Sequence, residues 1–245
     1  MALNFSEIRL LKSLNELHNG EMLKAVSIGH PDILVTHEQM SSIFGERITN
    51  RIKIREDSHA VARSHGREIL KAGVFETYAV FELMNMELSV LDYRAWRGSE
   101  TIANFNNPIA EDFYGMYDLV VDPGSTEHIF NIAQAMKNIS QMVKINGYVY
   151  HQTPICNVNH GFYNISPTFY RDYYGQNGFE IIRLGGFSGY RDEYGFDVIL
   201  DELSSHEIIE SPPRTGFCLV KKLKNASIEW PIQGVYSRKP AAIPS

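Results

Sequence analysis

The chain has 245 residues, 44% of them hydrophobic, so it can bury the core of one α/β domain. A net charge of −6, without long runs of like charge, gives no electrostatic footprint for binding nucleic acid or an anionic membrane. The two cysteines, Cys156 and Cys218, are too few for a disulfide framework or a CxxC zinc site, which favours a reducing compartment. We expect a cytoplasmic protein, because the N-terminal residues resemble an amphipathic helix rather than a signal sequence and no stretch could span a membrane.

Strand-sized runs rich in β-branched and aromatic residues alternate with helical patterns along the chain. Five such runs are predicted to be strands: residues 24–29 (KAVSIG), 87–92 (ELSVLD), 101–106 (TIANFN), 117–122 (YDLVVD) and 148–152 (YVYHQ). Between the last two, apolar residues recur every three or four positions from Ile129 to Val143, which predicts a helix that Gly147 terminates. This order of strand, helix and strand is typical of a parallel sheet covered by helices on both faces.

Two segments interrupt the alternation. Residues 30–85 are about twice as long as a simple crossover helix with its loops, so we interpret them as an insertion or cap after strand one. Residues 153–167 contain the polar and aromatic sequence CNVNHGFYNISP, which predicts a lid loop ahead of a helix at 168–177. The segment 230–245 is rich in Pro, Gly and Ser and is expected to be a surface tail or strap. We expect a single domain over residues 1–245.

In an open parallel sheet, ligands bind beyond the carboxyl ends of the strands, near the point where the strand order reverses. Polar or small residues follow every predicted strand at that edge: Gly29 and His30, Asp92 and Tyr93, and the segments 104–107, 122–128 and 153–160. Asp92 can accept hydrogen bonds from both hydroxyls of a ribose, which indicates a nucleoside ligand. Alternatively, Asp92 caps a turn after its strand.

The motifs DPGSTEH at 122–128 and HGFY at 160–163 follow the fourth and fifth predicted strands. With the strands around them, they resemble the central half of the class I S-adenosylmethionine-dependent methyltransferases, and in particular a subgroup with Asp-x-Gly-Thr-x-Glu-His and His-Gly-Phe-Tyr motifs. The resemblance covers residues 87–187, about two fifths of the chain. It implies a Rossmann-like, mostly parallel sheet of about seven strands, with the insertion after strand one and the lid loop after strand five.

The resemblance also implies which residues bind S-adenosylmethionine. Asp92 would bind the adenosine ribose, and Asn104 with the backbone N–H of Phe105 would contact the adenine edge. The residues implied in cofactor binding are Gly29, His30, Asp92, Tyr93, Asn104, Phe105, Asp122 and Gly124.

The first loop departs from the pattern of this family, in which an acid precedes Gly-x-Gly-x-Gly and the backbone passes close under the cofactor. Here the sequence is VSIGHPDI, with Ser27 in place of the acid and Pro31 and Ile33 at the later glycine positions. Proline lacks an N–H, and isoleucine adds bulk where close approach is needed. Either the cofactor contacts come from elsewhere, such as residues 30–85, or the site no longer binds the cofactor.

Glu127, His128, His160 and Tyr163 are predicted to be the catalytic residues. Methyl transfer to a hydroxyl requires close approach and removal of a proton, and an imidazole such as that of His128 suits this task near neutral pH. Alternatively, His128 hydrogen-bonds the substrate or packs beneath the following helix. His160 and Tyr163 could equally belong to a loop stabilised by its own aromatic residues.

The nine histidines show neither HExxH nor paired His/Cys ligand spacing, so no metal ion is expected. His59 and His65 lie in an Arg-rich segment and are expected on a solvated or cap face. Cys156 has no histidine next to it in the sequence, which argues against a nucleophilic role.

The resemblance implies a methyltransferase that uses S-adenosylmethionine to modify a polar small molecule, for example a sugar or a nucleotide-linked intermediate. The altered first loop leaves an alternative open, a non-catalytic nucleotide-binding or regulatory module that keeps the sheet. A nicotinamide oxidoreductase is disfavoured because SIGHPDI is not GxGxxG. No nucleic-acid or membrane partner is expected, and the sequence predicts no particular oligomeric state.

Overall fold

The structure is a computed structural model, and it describes residues 1–18, 20–66, 70, 73–188, 196–199 and 215–237. The strands are β1 (Ala2–Leu3), β2 (Leu23–Ile28), β3 (Asp32–Ile33), β4 (Met86–Asp92), β5 (Thr101–Ile102), β6 (Tyr117–Asp122), β7 (Val143–Pro154), β8 (Phe179–Ser188), β9 (Phe196–Ile199) and β10 (Thr215–Lys222). The helices are α1 (Phe5–Leu17), α2 (His37–Phe44), α3 (Glu46–Thr49), α4 (Ser58–Ser64), α5 (Thr77–Leu83), α6 (Ile132–Met142), α7 (Pro167–Gln176) and α8 (Gly234–Ser237). Two short 3-10 turns span Glu111–Phe113 and Thr126–His128.

Eight of the described strands form one sheet in the order β5-β4-β2-β6-β7-β10-β8-β9. The strands from β5 to β7 in this order pair in parallel, whereas β10 is antiparallel to β7 and β8, and β9 is antiparallel to β8. The prediction of a Rossmann-like α/β fold with a mostly parallel central sheet is therefore confirmed. The sheet has one strand more than expected, because the four-residue β9 is added at its edge.

The order of the strands reverses next to β2. From β2 the chain passes to β4 and β5 on one side of the sheet, and it then crosses to β6 and β7 on the other side. The carboxyl ends of β2 and β6 therefore border the crevice in which open α/β sheets bind ligands. We call this crevice the switch point.

Residues of β6 alternate between two hydrophobic cores, one on each face of the sheet. Val120 packs in the core that contains Ile139 of α6, whereas Leu119 and Val121 pack in the core that contains Ile8 of α1. Because both faces are covered, the strand is a continuous apolar run, and this pattern is the one that predicted it. Burial of each such aliphatic side chain contributes about 1.5–3 kcal/mol to folding.

The segment 30–85 shares the second of these cores with the sheet. Met40 of α2 and Phe81 of α5 are fully buried there together with Ile8 of α1. A smaller cluster that includes Val61 and Val74 is formed within the same segment. The segment therefore contributes to the layer that covers one face of the sheet.

The third strand is shorter than predicted, because only Thr101 and Ile102 pair with β4. At Asn104 the chain turns, and the side-chain oxygen of Asn104 accepts hydrogen bonds from the backbone and side-chain nitrogens of Asn106. Phe105 then packs into the core. A side chain that satisfies its own turn competes with the sheet ladder, which ends the strand early.

The helix predicted between β6 and β7 is confirmed, but it starts at Ile132 because residues 126–128 form a 3-10 turn. It ends at Met142 and β7 begins at the next residue, so the prediction that Gly147 terminates the helix was wrong. A Cβ atom at Gly147 would lie 2.9 Å from the backbone oxygen of Asp118. Glycine is required there because the backbones of β6 and β7 approach closely.

Helix α7 lies close to its predicted range and follows the lid loop. The described part of the tail runs along α7, where Asp172 accepts a hydrogen bond from the Gly234 N–H and Gln176 donates one to the Ile232 carbonyl. The described part of the tail, up to residue 237, therefore packs along α7 as the predicted strap. The predicted tail residues 238–245 lie outside the described residues. None of the described helices is long and apolar enough to cross a membrane.

Candidate functional site

Gly29 directly follows β2 at the switch point and has a positive φ of 77°. A Cβ atom there would lie 2.1 Å from the sulfur of Met1 and 3.0 Å from the hydroxyl oxygen of Ser125. The glycine therefore allows close approach, as expected for a ligand site, but the group that approaches in this structure is the Met1 side chain. Backbone hydrogen bonds fix this end of the chain, from Ala2 N–H to the Pro123 carbonyl and from Asp32 N–H to the Met1 carbonyl.

The unusual first loop has a structural explanation. After Pro31 the chain enters β3, which pairs in parallel with β1. Ile33 is fully buried in this short ladder, and Ser27 donates its hydroxyl proton to the Gly29 carbonyl. Ile33, at one of the later glycine positions of the resembled family, therefore belongs to a second small sheet instead of lining a ligand path.

Asp92 lies at the carboxyl end of β4, next to the switch point. One carboxylate oxygen accepts a hydrogen bond from the Arg94 N–H at 3.3 Å, so it caps a turn. The other oxygen is buried and has no hydrogen-bond partner among the described residues. Asp92 thus caps its turn with one oxygen and retains the other as an acceptor for a ligand. The neighbouring Tyr93 side chain is 64% exposed.

An ionic group that sequence analysis missed is centred on the buried Asp32 of the first loop, and we call it the Asp32 cluster. The Asp32 carboxylate accepts hydrogen bonds from Arg55 at 2.7 Å, Arg97 at 2.8 Å and His65 at 2.9 Å. Burial alone would raise the pKa of Asp32, but these three partners together keep it below its ordinary value. Of the two faces expected for His65, solvated or cap, the structure excludes a fully solvated one, because its imidazole belongs to this cluster within residues 30–85.

His30 adjoins the Asp32 cluster and is 4% exposed. Burial and the positive charge of Arg97 lower the pKa of His30 to about 4, so the ring is neutral at physiological pH. Its Nδ1 atom is buried without a hydrogen-bond partner among the described residues. The cluster also joins residues 94–100 to the first loop, since Arg97 contacts Asp32.

Of the adenine contacts predicted at the third strand, that of the Asn104 side chain needs correction, whereas that of the Phe105 backbone N–H stays a prediction. The Asn104 side-chain oxygen is engaged within its own turn, and Phe105 is 4% exposed in the hydrophobic core. The side chains of both residues therefore serve local structure. The prediction assumed a strand that continues to residue 106, and the early turn at Asn104 changes what these residues face.

Asp122 is also used internally, contrary to the prediction that its carboxylate meets the cofactor. The carboxylate is fully buried and accepts hydrogen bonds from the backbone of Ser125 at 2.8 Å and from the Thr126 hydroxyl at 2.6 Å. It also pairs with His151 Nδ1 at 2.8 Å, and His151 Nε2 contacts the Tyr174 hydroxyl at 2.6 Å. Asp122 therefore fixes the turn that carries the next residues.

That turn positions Gly124 and Glu127. Gly124 has a φ of 94°, and a Cβ atom there would lie 3.2 Å from a carboxylate oxygen of Glu127. Glu127 is 1% exposed, and its Oε2 atom has no hydrogen-bond partner among the described residues. Burial and the negative charge of Asp122 raise the pKa of Glu127 to about 8.

The lid loop brings His160 to Glu127 and His128, as predicted for two loops that converge over the strand ends. The nearest nitrogens of His160 and His128 lie 3.5 and 4.0 Å from Glu127 Oε1. The two imidazole rings are 5.1 Å apart in an edge-to-face arrangement, and each side chain is about half exposed. Partial burial and the neighbouring His160 lower the pKa of His128. We call these three residues the Glu127 cluster.

Tyr163 stabilises the loop instead of joining the Glu127 cluster. Its hydroxyl donates a hydrogen bond to the Phe130 carbonyl at 2.6 Å. The Phe162 N–H donates to the Glu127 carbonyl at 2.7 Å, and the Phe162 and Phe130 rings lie 5.4 Å apart. The alternative of a loop held by its own aromatic residues thus describes Tyr163, while His160 faces Glu127.

The fold and the site define a doubly wound α/β protein with polar groups gathered around its switch point. The sequence matches no protein-family model and no curated protein. Among solved structures, it is similar to TehB from Haemophilus influenzae at 13% identity and a TM-score of 0.42, covering 76% of this chain and 66% of that chain. It is also similar to 1,6-didemethyltoxoflavin-N1-methyltransferase from Burkholderia thailandensis, at 8% identity and a TM-score of 0.46, covering 89% of this chain and 78% of that chain.

A third similar structure is a SAM-dependent methyltransferase from Archaeoglobus fulgidus, at 10% identity and a TM-score of 0.43. The match covers 88% of this chain and 94% of that chain. With identities and TM-scores this low, none of these similarities identifies the family of the chain.

Proposed function

We propose that the chain is an S-adenosylmethionine-dependent methyltransferase that modifies a polar small molecule. The observation that carries the proposal is the arrangement around the switch point. The free oxygen of Asp92 lies at the end of β4, and the Glu127 cluster follows β6, with Gly29 of β2 between them. Because neighbouring strands are about 4.8 Å apart, the ends of β4 and β6 are separated by about 10 Å.

An extended nucleoside cofactor could bridge this distance. Its ribose hydroxyls would donate to the buried oxygen of Asp92, which has no other partner among the described residues. Its sulfonium would then lie beyond Gly29, towards Gly124 and the carboxyl group of Glu127. The acceptor would bind next to the exposed surfaces of His128 and His160.

The chemistry needs few groups from the protein. The methyl carbon leaves the sulfur of the cofactor and bonds to an acceptor atom in line with the breaking bond, so positioning is the main task of the site. A hydroxyl acceptor must also lose its proton, and the Glu127 cluster would supply the polar groups beside it. We further propose an acceptor such as a sugar or a nucleotide-linked intermediate, which would present several hydroxyls.

Met1 must leave the switch point before a cofactor can occupy it, because its side chain lies against Gly29 and Ser125. This contact, together with the first loop, favours the second candidate, a non-catalytic module that retains the sheet. The two candidates differ in whether a methyl group is transferred, so binding and turnover must be measured separately.

Calorimetry with S-adenosylmethionine, S-adenosylhomocysteine and NAD tests the proposal. We expect heat from the two sulfur nucleotides and none from NAD. Asp92→Asn should weaken their binding by about 1–3 kcal/mol, since the ribose hydroxyls would lose a charged acceptor. Glu87→Gln is the matched control, because Glu87 is an exposed carboxylate at the opposite end of the same strand.

The absence of heat with either sulfur nucleotide would refute the cofactor assignment. Binding without methyl transfer to any hydroxylated acceptor would favour the non-catalytic module. Unchanged affinity in folded Asp92→Asn would show that Asp92 only caps its turn.

A further inference from the structure

We propose that Glu127, His128 and His160 bind a divalent first-row transition metal ion such as Zn²⁺. One ligand atom from each residue lies within 4.8 Å of the other two, at the exposed mouth beside the switch point. Two imidazoles and one carboxylate form a ligand set that such ions occupy with further positions left open. The set does not follow the HExxH pattern, because the lid loop supplies His160.

The distances require only a small closure. Two ligand atoms bonded to one such ion are about 3.0–3.5 Å apart, given bonds of about 2.0–2.2 Å. His160 Nε2 is already 3.5 Å from Glu127 Oε1, and His128 Nε2 is 4.0 Å away. Both imidazole side chains are about half exposed, so their rotation can bring the three atoms together without disturbing the core.

The carboxylate of Glu127 provides an independent reason to expect a cation. It is 1% exposed, and its Oε2 atom has no hydrogen-bond partner among the described residues, while Oε1 is the oxygen that lies nearest the two imidazoles. The neighbouring Asp122 does not share this need, because Ser125, Thr126 and His151 saturate its oxygens. A buried carboxylate oxygen without a donor is costly, and a cation bound to the carboxylate would offset this cost.

The backbone holds this ligand set in position. The Phe162 N–H donates to the carbonyl of Glu127 itself, two residues after His160. Gly161 has a φ of 71°, and a Cβ atom there would lie 2.8 Å from the same carbonyl oxygen. Because only a glycine allows the loop to approach so closely, the loop is built to keep His160 over Glu127.

The use of the ion in catalysis, unlike the site itself, rests on the proposed function. An acceptor hydroxyl bound at an open coordination position would have a lowered pKa and would release its proton to solvent. The resulting alkoxide would attack the methyl carbon as the carbon–sulfur bond breaks, leaving the neutral thioether. Glu127 and the two histidines would then orient the acceptor through the ion.

Metal binding can be measured without any activity. The full chain is treated with EDTA, dialysed, and titrated with Zn²⁺ and with Mg²⁺ by calorimetry. We expect one equivalent of Zn²⁺ to bind and Mg²⁺ to bind far more weakly, because imidazole ligands favour Zn²⁺. Co²⁺ in place of Zn²⁺ should give visible absorption bands that report nitrogen and oxygen ligands.

Three variants locate the site. Glu127→Gln and His160→Ala should each weaken Zn²⁺ binding by about 10-fold or more, at least the loss expected for an outer-shell partner. His59→Ala is the control, because His59 is an exposed histidine outside the Glu127 cluster. Circular dichroism in EDTA verifies that each variant is folded, and His160→Ala removes a half-exposed side chain, so it should fold normally.

Unchanged one-equivalent Zn²⁺ binding in folded His160→Ala, or no Zn²⁺ heat with the folded parent chain, would overturn the proposal. Equal losses in His59→Ala would place the metal elsewhere and would overturn it too. Binding of S-adenosylhomocysteine in EDTA is measured on the same samples. Failure of the cofactor assignment can thus be distinguished from failure of the metal site.

Discussion

Replacement of His30 by glutamine should reduce the pH dependence of stability. His30 is buried and neutral, and four charged groups surround it: Arg97 and Arg55 lower its pKa, while Asp32 and Glu100 raise it. Its pKa falls from 6.5 in the unfolded chain to about 4 in the folded one. Below pH 6.5 the unfolded chain therefore binds a proton that the folded chain does not, so stability falls as the pH decreases towards 4.

The magnitude follows from the two pKa values of His30. A shift of this size corresponds to about 3.4 kcal/mol over the whole window, at about 1.36 kcal/mol for each pH unit. Between pH 7 and pH 5 the contribution of His30 to the loss of stability is about 2 kcal/mol. His30→Gln retains a polar side chain that does not titrate, so this part of the loss should disappear.

Urea unfolding at pH 7 and pH 5, followed by circular dichroism, measures the difference directly. The parent chain should lose about 2 kcal/mol more than His30→Gln between the two pH values. His59→Gln, at an exposed histidine, should behave like the parent chain. Parallel losses in the parent chain and His30→Gln would refute the reasoning, because they would mean that His30 titrates alike in the folded and unfolded states.

Three further outcomes are expected. Asp32→Asn should lower the free energy of unfolding by about 1–3 kcal/mol in urea titrations, since Arg97 and His65 lose a charged hydrogen-bond acceptor while Arg55 keeps Asp57. A loss below about 1 kcal/mol would give the Asp32 cluster no more strength than a surface ion pair. Tyr163→Phe should speed hydrogen exchange at the Phe162 N–H by about 10-fold, because one hydrogen bond that docks the lid loop is lost, and unchanged exchange would contradict that docking. In an NMR spectrum of 13C-methyl-labelled methionines, S-adenosylhomocysteine should shift the Met1 signal. The signal of Met22, which precedes the amino end of β2, should not move. An unchanged Met1 signal would argue against a ligand at the switch point.

The elements predicted well were those whose signal is local. The run 117–122 is apolar because both of its faces are buried, and β6 has the predicted bounds. The apolar residues that recur every three or four positions before Val143 are also a local signal, and α6 forms there. The run 101–106 failed because Asn104 satisfies its own turn, a competition between two local preferences that a strand pattern does not resolve.

The candidate site was harder to predict because its contacts depend on register and on tertiary packing. Asp122 lies opposite His151 in the β6–β7 ladder, and this pairing turns a presumed ligand residue into an internal one. The partners of Asp32 are 23, 33 and 65 residues away in the sequence. The convergence of His128 and His160 was predictable, since loops after neighbouring parallel strands meet at one edge.

Because Met1 lies at the switch point, the affinity of any ligand there depends on two equilibria: the movement of the Met1 side chain away from Gly29, and the binding of the ligand itself. A ligand binds only those molecules in which the Met1 side chain has left Gly29, so its apparent dissociation constant equals the intrinsic one divided by that fraction. If the closed arrangement is favoured by about 1.4 kcal/mol, the apparent affinity is about tenfold weaker than the contacts alone would give. Changes in the β1–β3 ladder, which holds the residues next to Met1, would then alter binding by changing how often the crevice is open.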